Sequence, residues 1–368
     1  MSLALYRKYR PKKLSELIGQ ETTSEILKNA AASDKIGHAY LFYGPRGTGK
    51  TTTARLIAKL LNCEKRNADS KFKEQGESCG ECDICKEIDL NNSFDVIEID
   101  AASNRGIDEI RNLKDSIRTA PVRGRYKIYI IDEVHMLTGA ASNALLKTLE
   151  EPPSHAVLVL ATTEYEKLPP TITSRAQRFI FKKAAKTKIM EKLSIIARAE
   201  KIEIASDALE LIASVADGSF RDAESLLDQV SSTNAKIDLQ TVESLTGRTG
   251  LKKVKELSEL ILKNNLEESL KYLSEISDEG HNLTQLTKDL IHYFRKILSL
   301  KINPDLETFF SGELTKEEID QIKQLAGLAD TETLIRLTKA FILAYSEIRY
   351  SPFAIVPLEV ALIENLRN

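Results

Sequence analysis

A glycine-rich loop constrains this chain more than any other stretch. The loop runs from Gly44 to Thr51 and fits the pattern Gly, four residues, Gly-Lys-Thr. The apolar run Ala39–Tyr43 before it is typical of a buried strand, and the residues after it place leucines and isoleucines on one helical face. In such a strand–loop–helix unit, backbone N–H groups and the helix N-terminus bind anionic phosphate. The sequence therefore predicts a site for a nucleoside triphosphate.

The residue types in this loop also predict individual roles. We expect Lys50 to reach the β- and γ-phosphates and Thr51 to hold Mg²⁺. A glycine turn that binds nothing is the alternative, and the flanking strand and helix patterns disfavour it. The other residues that we expect to contact the nucleotide here are Gly44, Pro45, Arg46, Gly47, Thr48, Gly49 and Thr52.

Further apolar runs alternate with helical patterns, and a pair of carboxylates follows one of them. The runs at residues 96–100, 127–131 and 157–161 are typical of strands buried on both faces, which predicts a parallel α/β sheet. Ligands bind beyond the carboxyl ends of such strands. We therefore expect Asp132 near Mg²⁺ and Glu133 in position to orient and deprotonate an attacking water. A simple helix cap is the alternative interpretation of this pair.

All four cysteines lie in one polar insertion after the helix that follows the loop. Fifteen residues separate Cys63 from Cys79, and two C-x-x-C steps continue to Cys82 and Cys85. Thiols this dense are typical of metal ligands in a protein of a reducing compartment. Four thiolates suit tetrahedral Zn²⁺ with no open position, which predicts a structural site. An iron–sulfur cluster, or four unrelated cysteines, are the alternatives.

Ten segments match one known family in their order and spacing. They are Tyr6–Pro11, His38–Phe42, the glycine loop, the four-cysteine insertion, Ile99–Ser103, Ile131–Leu137, Asn143–Pro153, Leu160–Thr163, Ser174-Arg175 and Gly218–Ala223. Together they resemble the gamma/tau subunits of the clamp loader of bacterial DNA polymerase III, which are AAA+ ATPases. The resemblance covers nearly the whole chain.

This resemblance implies an α/β AAA+ P-loop module, in which helices flank a parallel sheet, followed by two helical domains. The nucleotide-binding domain is expected at residues 1–183, with a four-cysteine zinc insertion at about 62–90. A small helical lid domain is expected at 184–243, and an all-helical collar domain that oligomerises at 244–368.

The resemblance also implies roles for individual residues. Asp132 and Glu133 match the Walker B pair, and Thr163, at a strand end, matches sensor 1. Arg221 matches sensor 2, which reaches the phosphates from the lid, and Arg175 matches the arginine finger, which acts on the ATP of a neighbouring subunit. The family's nucleotide-base pocket corresponds to Tyr6, Arg10, Pro11, Ile18 and Gly19, and its structural zinc module corresponds to Cys63, Cys79, Cys82 and Cys85.

One departure from the family lies beside the expected finger. The usual Ser-Arg-Cys is Ser174-Arg175-Ala176 in this chain. The missing thiol is not the catalytic group, so we expect the change to affect local packing only.

The implied function is that of an ATPase motor subunit that loads the sliding clamp onto primed DNA during replication. ATP, Mg²⁺ and Zn²⁺ are the expected cofactors, and no polymerase active site is evident. The expected partners are delta-type and delta-prime-type subunits, the sliding clamp, primer-template DNA and the polymerase holoenzyme, in a hetero-oligomeric ring-like assembly. Two alternatives are a clamp-loader-like scaffold that does not hydrolyse ATP and a branch-migration AAA+ motor. Intact loop and Walker B residues disfavour the first, and the cysteine module and helical collar disfavour the second.

Charge and hydropathy limit the kind of DNA contact and the cellular location that we expect for such a chain. The formal net charge is -2, so any DNA contacts are expected to be local rather than spread over a basic surface. Arg105 and Lys147 are candidates for these contacts, and each is equally compatible with a solvated surface cation. No run reaches the roughly 18 apolar residues of a membrane span. A cytoplasmic location is the default expectation.

Overall fold

The chain forms two compact units. The computed structural model describes residues 3–232, 236–246, 251–310, 314 and 316–366. The first unit comprises residues up to Ala184 together with Gly218–Asp222, and the second comprises Ala185–Asp217 and the residues from Ala223 onward. The expected bounds of the three domains stay predictions.

The first unit is built on a parallel five-stranded sheet in the order β2-β3-β4-β1-β5. The strands β3, β4 and β1 lie inside the sheet and are almost completely buried, which explains their continuous apolar runs. This confirms the predicted sheet. The strands are β1 (Ala39–Tyr43), β2 (Val96–Asp100), β3 (Lys127–Asp132), β4 (Ala156–Thr162) and β5 (Gln177–Ile180).

The fifth strand is absent from the sequence-based prediction. Of its four residues only Phe179 is buried, and the other three are exposed. A strand at the edge of a sheet with one buried side chain gives no apolar run to detect. Its pairing with β1 is therefore a tertiary feature, with Tyr40 opposite Gln177 and Tyr43 opposite Ile180.

Helices cover both faces of this sheet. Side chains alternate along β1, so that Tyr40 and Phe42 contact one core and Leu41 contacts the other. The helices of the first unit are α1 (Leu5–Lys8), α2 (Glu21–Ala32), α3 (Lys50–Asn62), α4 (Glu64–Ala68), α5 (Ser70–Lys73), α6 (Asp83–Asp89), α7 (Ile107–Ile117), α8 (Gly139–Glu150) and α9 (Pro170–Thr173). The first core includes residues of α2, α3 and α6, and the second includes residues of α7 and α8.

Among the described residues of the second unit, the regular secondary structure is helical apart from one bridge between Ile204 and Ile237. This confirms the expected helical C-terminal region. Its helices are α10 (Lys186–Glu200), α11 (Ser206–Val215), α12 (Phe220–Ser231, whose first three residues belong to the first unit), α13 (Leu239–Thr246), α14 (Leu251–Leu262), α15 (Leu266–Asp278), α16 (Leu283–Ile302), α17 (Glu307–Phe310), α18 (Lys316–Ala326), α19 (Thr331–Ile348) and α20 (Val356–Asn365).

The long helices α16 and α19 form the centre of the second unit. Phe294 and Phe341 are fully buried between them, with ring centroids 5.1 Å apart.

Among the described residues, no helix combines the length and the apolar character needed to cross a membrane.

Candidate nucleotide site and cysteine cluster

Two glycines of the loop allow close approach of other backbone segments. Gly44 has φ 144°, and a Cβ atom there would lie 2.1 Å from the carbonyl oxygen of Phe181. Gly47 has φ 73°, and a Cβ atom there would lie 1.8 Å from Ser219 Oγ. Any side chain at either position would both strain the backbone and clash, so the local fold requires glycine.

The stretch that contacts Gly47 carries one of the predicted phosphate-sensing residues. Phe220 N donates a hydrogen bond to Gly47 O at 3.2 Å, which fixes the start of α12 against the loop. The next residue, Arg221, lies with its guanidinium carbon 5.0 Å from the centre of the Tyr6 ring. The structure thus brings Tyr6 and Arg221 together near the loop. For Arg10, another predicted base-pocket residue, burial lowers the pKa, and the nearby charge of Arg55 lowers it further.

The predicted base-pocket residues flank a short segment that also reaches the loop. Tyr6, Arg10, Pro11, Ile18 and Gly19 are all half-buried. Within that segment, Leu17 lies 3.9 Å from the Cβ position of Gly49. At the tip of the loop Pro45 and Arg46 are exposed, while Thr48 is buried and donates to Pro45 O, and Thr52 lies half-buried in the first turn of α3.

The loop lysine is buried and turned back toward the loop. Lys50 Nζ donates to the carbonyl oxygens of Gly44 and Pro45, each at 2.8 Å. Since an ammonium group has three donors, these two bonds leave one for a phosphate oxygen. Burial lowers the pKa of Lys50, and the carboxylates of Glu133 and Asp132 act in the opposite direction. Those carboxylates favour the charged form that binds phosphate.

The threonine after this lysine contacts the first carboxylate of the predicted pair. Thr51 Oγ1 donates to Asp132 Oδ2 at 2.7 Å. Thr51 lies in the first turn of α3, and Asp132 is the last residue of β3. A hydroxyl and a carboxylate are the hard oxygen ligands that Mg²⁺ prefers. The pair therefore fits the predicted magnesium site.

The second carboxylate is held in an unusual backbone conformation. Glu133 has φ 49°, in the left-handed region that a non-glycine residue seldom adopts. Its Oε2 atom accepts hydrogen bonds from Thr163 N at 3.1 Å and from Thr163 Oγ1 at 2.8 Å. Strain of this kind costs about 1–3 kcal/mol and is concentrated at functional sites. The carboxyl ends of β3 and β4 thus bring two predicted site residues into direct contact.

A histidine that the sequence analysis missed connects the same strand ends. His135 is buried, with Nδ1 2.9 Å from Thr162 Oγ1 and Nε2 3.3 Å from Glu164 Oε1. Its Nδ1 atom also lies 3.4 Å from Oε2 of Glu133, two residues before it, whereas Thr162 and Glu164 come from the end of the next strand. No local sequence pattern predicts the contacts with Thr162 and Glu164.

The predicted arginine finger lies near the amino ends of the strands, which form the edge of the sheet opposite the loop. Arg175 precedes β5, whose residue Gln177 pairs with Tyr40 near the amino end of β1, whereas the loop follows the carboxyl end of β1. Arg175 Nε donates to Glu150 Oε1 at 2.8 Å, and Nη1 donates to Thr171 O at 2.7 Å. The pair borders an open cavity of about 670 Å³. The structure does not bring Arg175 to the loop of its own chain.

The four cysteines come together in space. Their sulfur atoms all lie within 4.8 Å of one another. Tetrahedral Zn²⁺ with bonds of about 2.3 Å places its sulfur ligands about 3.8 Å apart, so the cluster fits such an ion. Cys79 N donates a hydrogen bond to Cys63 Sγ, and Cys82 N donates one to Cys79 Sγ, each at 3.3 Å. Hydrogen bonds of this kind stabilise thiolates.

Two of the thiols interact directly. A hydrogen bond from Cys85 lowers the pKa of Cys63, and the same interaction raises the pKa of Cys85. Four sulfur atoms this close together favour one shared ligand over four unrelated cysteines.

The glycine loop, the parallel sheet and the carboxylate pair have the arrangement that defines the P-loop nucleotide-binding class. The C-terminal region of the chain is helical. Three family models match consecutive parts of the chain: the delta subunit of DNA polymerase III at residues 19–185, the ATPase lid domain of the DNA polymerase III clamp loader subunit at 188–233, and domain III of the gamma and tau subunits at 237–367. The chain belongs to the family of DNA polymerase III subunits gamma and tau. This confirms the resemblance inferred from the motifs.

Curated relatives agree with the family models. The tau subunit of DNA polymerase III from Bacillus subtilis is 41% identical over 98% of this chain and 62% of the relative. The gamma/tau subunit from Mycoplasma pneumoniae is 39% identical over 82% of this chain and 43% of the relative. The tau subunit from Escherichia coli is 36% identical over 98% of this chain and 55% of the relative. The chain therefore spans 43% to 62% of the length of these relatives.

Proposed function

We propose that this chain is an ATP-hydrolysing subunit of a DNA polymerase III clamp loader, with the AAA+ mechanism, and that it helps to load the sliding clamp onto primed DNA. Two contacts at one edge of the sheet carry this proposal, Thr51 with Asp132 and Thr163 with Glu133. Lys50, whose pKa burial lowers and both carboxylates raise, is held at the same loop. Membership of the gamma/tau family supplies the process in which the ATP is used.

Phosphate binding is assigned to the loop and its lysine. Backbone N–H groups from Arg46 to Thr51, which include the N-terminus of α3, surround the phosphates. Lys50 donates to the β- and γ-phosphates. Thr51 and Asp132 would hold Mg²⁺, which when bound neutralises charge on the phosphates.

Hydrolysis needs a group that orients water. Glu133 takes this role, because its carboxylate lies beyond the end of β3 beside Asp132. The hydrogen bonds from Thr163 orient the Glu133 carboxylate and couple it to the end of β4. General-base catalysis of this kind contributes about 10²–10⁴ to the rate.

Two arginines complete the proposed site. Arg221 reaches the phosphates of its own chain, which is consistent with the contact between Phe220 and Gly47. Arg175 acts on the ATP of a neighbouring subunit, where its planar and permanently charged group stabilises charge on the transferring phosphoryl oxygens. Tyr6, Arg10 and their neighbours in the base pocket hold the adenine.

The remaining cofactor and partners follow from the cysteine cluster and the family. Cys63, Cys79, Cys82 and Cys85 would hold one Zn²⁺ in a closed structural site. The lid (184–243) and collar (244–368) assemble with delta-type and delta-prime-type subunits into a ring-like complex. This complex contacts the clamp and primer-template DNA in the cytoplasm.

ATP turnover by the complete assembly tests this function. Lys50→Ala should lower turnover by roughly 10²–10³, because a donor aimed at developing charge is lost. Lys35→Ala, which removes an exposed lysine of the same unit, is the matched control and should leave turnover unchanged. Clamp and primed DNA should stimulate the wild-type assembly. Normal turnover when every competent site carries Lys50→Ala would refute the assignment, and a wild type without turnover would favour the scaffold alternative.

A further inference from the structure

The cysteine insertion contacts the segment that joins the two parts of the predicted base pocket. We call residues 12–17 the connecting segment, because Tyr6, Arg10 and Pro11 precede it and Ile18 and Gly19 follow it. The insertion supplies no catalytic group, so its function is expected in the part of the structure that it contacts. Those contacts lead to the connecting segment.

Glu77 is the main contact between the insertion and the connecting segment. It lies two residues before Cys79 and is only 8% exposed. Its Oε2 atom accepts a hydrogen bond from Leu14 N at 3.0 Å, and its Oε1 atom accepts one from Ser15 N at 2.9 Å. Lys28 Nζ lies 3.3 Å from the same Oε1 atom and completes the environment of the carboxylate.

A buried lysine makes a second connection. Lys59 of α3 is fully buried, and its Nζ atom donates to Lys12 O at 3.1 Å and to both carboxylate oxygens of Asp89 at 2.9 Å. Asp89 ends α6, the helix that carries Cys85. One ammonium group therefore joins the phosphate-loop helix, the cysteine insertion and the start of the connecting segment.

Apolar packing extends the connection to the phosphate loop. Leu14 and Leu17 of the connecting segment are buried in the same core as Ile84 and Ile88 of α6. Leu17 is also the residue that lies 3.9 Å from the Cβ position of Gly49. Leu17 thus packs the end of the connecting segment against the loop, so a displacement around Leu14 and Ser15 would alter the base pocket while the loop keeps this contact.

We propose that the cysteine insertion positions the base pocket, and that Glu77 is the positioning residue through which it does so. This rests on the proposed nucleotide-binding function. Glu77 lies 63 positions after Leu14 and 62 positions after Ser15, so its carboxylate reaches them only when the insertion is folded. Without the Glu77 carboxylate, two backbone N–H groups lose their partner and the connecting segment loses its fixed position.

Binding of two ligands separates the base pocket from the phosphate loop. ATP uses both, whereas inorganic tripolyphosphate uses the loop alone. Glu77→Ala should weaken ATP binding by about tenfold, because two N–H groups are left without an acceptor, and should leave tripolyphosphate binding unchanged. Glu77→Gln keeps one acceptor oxygen and should lie between Glu77→Ala and the wild type. Glu74→Ala removes an exposed acid of the same insertion and should bind both ligands normally.

Calorimetric titration of the full chain, with metal content measured in each variant, gives distinct outcomes. Selective loss of ATP affinity in Glu77→Ala, with metal retained, supports the proposal. Equal ATP affinity in Glu77→Ala and wild type overturns it, and so does an equal loss for ATP and tripolyphosphate, which would mean general damage to the site. If the wild type itself binds neither ligand, the proposed function fails first.

Discussion

The two edges of the parallel sheet differ in how complete they are within one chain. At the carboxyl edge, Thr51 contacts Asp132 and Thr163 contacts Glu133, so the proposed site is largely assembled. At the amino edge, Arg175 contacts a surface carboxylate and a backbone carbonyl. A five-residue strand at about 3.3 Å per residue keeps the two edges roughly 15 Å apart. We propose that the carboxyl edge binds phosphate and that Arg175, at the amino edge, acts on the ATP of a neighbouring subunit.

The magnitudes of the two possible roles of Arg175 differ enough to separate them. Its partner Glu150 is 47% exposed and Arg175 itself is 32% exposed, and surface pairs of this kind stabilise a fold by about 0–1 kcal/mol. An arginine supplied to a phosphoryl-transfer site from outside increases kcat by about 10³–10⁵. A structural pair and a catalytic finger therefore predict very different losses on mutation.

The largest expected effect concerns Arg175. In the reconstituted assembly, Arg175→Ala should lower ATP turnover by about 10³ or more, because charge on the transferring phosphoryl group loses its stabilising cation. Nucleotide binding by the isolated chain should stay near normal, since Arg175 lies away from its own loop. Steady-state turnover of the assembly and calorimetric binding to the single chain measure the two quantities.

Glu150→Gln is the matched control for this change. It removes the same ion pair but keeps the arginine, so turnover should stay within about threefold of wild type if the pair only holds a surface loop. Equal, large losses in Arg175→Ala and Glu150→Gln would show that the ion pair itself matters and would refute the finger.

A smaller effect is expected from the cysteine cluster, which supplies no group to either edge. Cys82→Ser removes one of four thiolates, so zinc should fall from about one ion per chain, and the insertion should become easier to unfold. Tripolyphosphate binding by the loop should persist. Metal analysis and limited proteolysis measure these changes, with Glu74→Ala as the variant that should keep its metal. An iron chromophore, or native protein without metal, would contradict the zinc assignment.

Much of the carboxyl edge could be predicted from the sequence because its residues follow local rules. The glycine loop needs its residue types within eight positions, and Asp132-Glu133 follows directly from a run of buried strand residues. The sheet topology then brings these ends together, as it does in any parallel sheet. The cysteine spacing likewise predicted a cluster without any knowledge of the fold.

The features that the sequence did not predict depend on contacts between distant residues. The strand β5 has one buried side chain, so its existence follows from pairing with β1 and not from a pattern. Glu77 is one acid among many in a polar insertion, and only the fold brings it to Leu14 and Ser15. His135 meets Thr162 and Glu164 for the same reason.

A mixing experiment tests most directly the central claim that a working site is shared between two chains. Arg175→Ala subunits keep an intact loop, and Lys50→Ala subunits keep an intact finger. Each alone should give an assembly with almost no ATP turnover. Assemblies that contain both should regain turnover wherever an intact Arg175 faces an intact Lys50 across an interface. If mixed assemblies demonstrably form and none of them regains activity, the two edges do not build one site between chains.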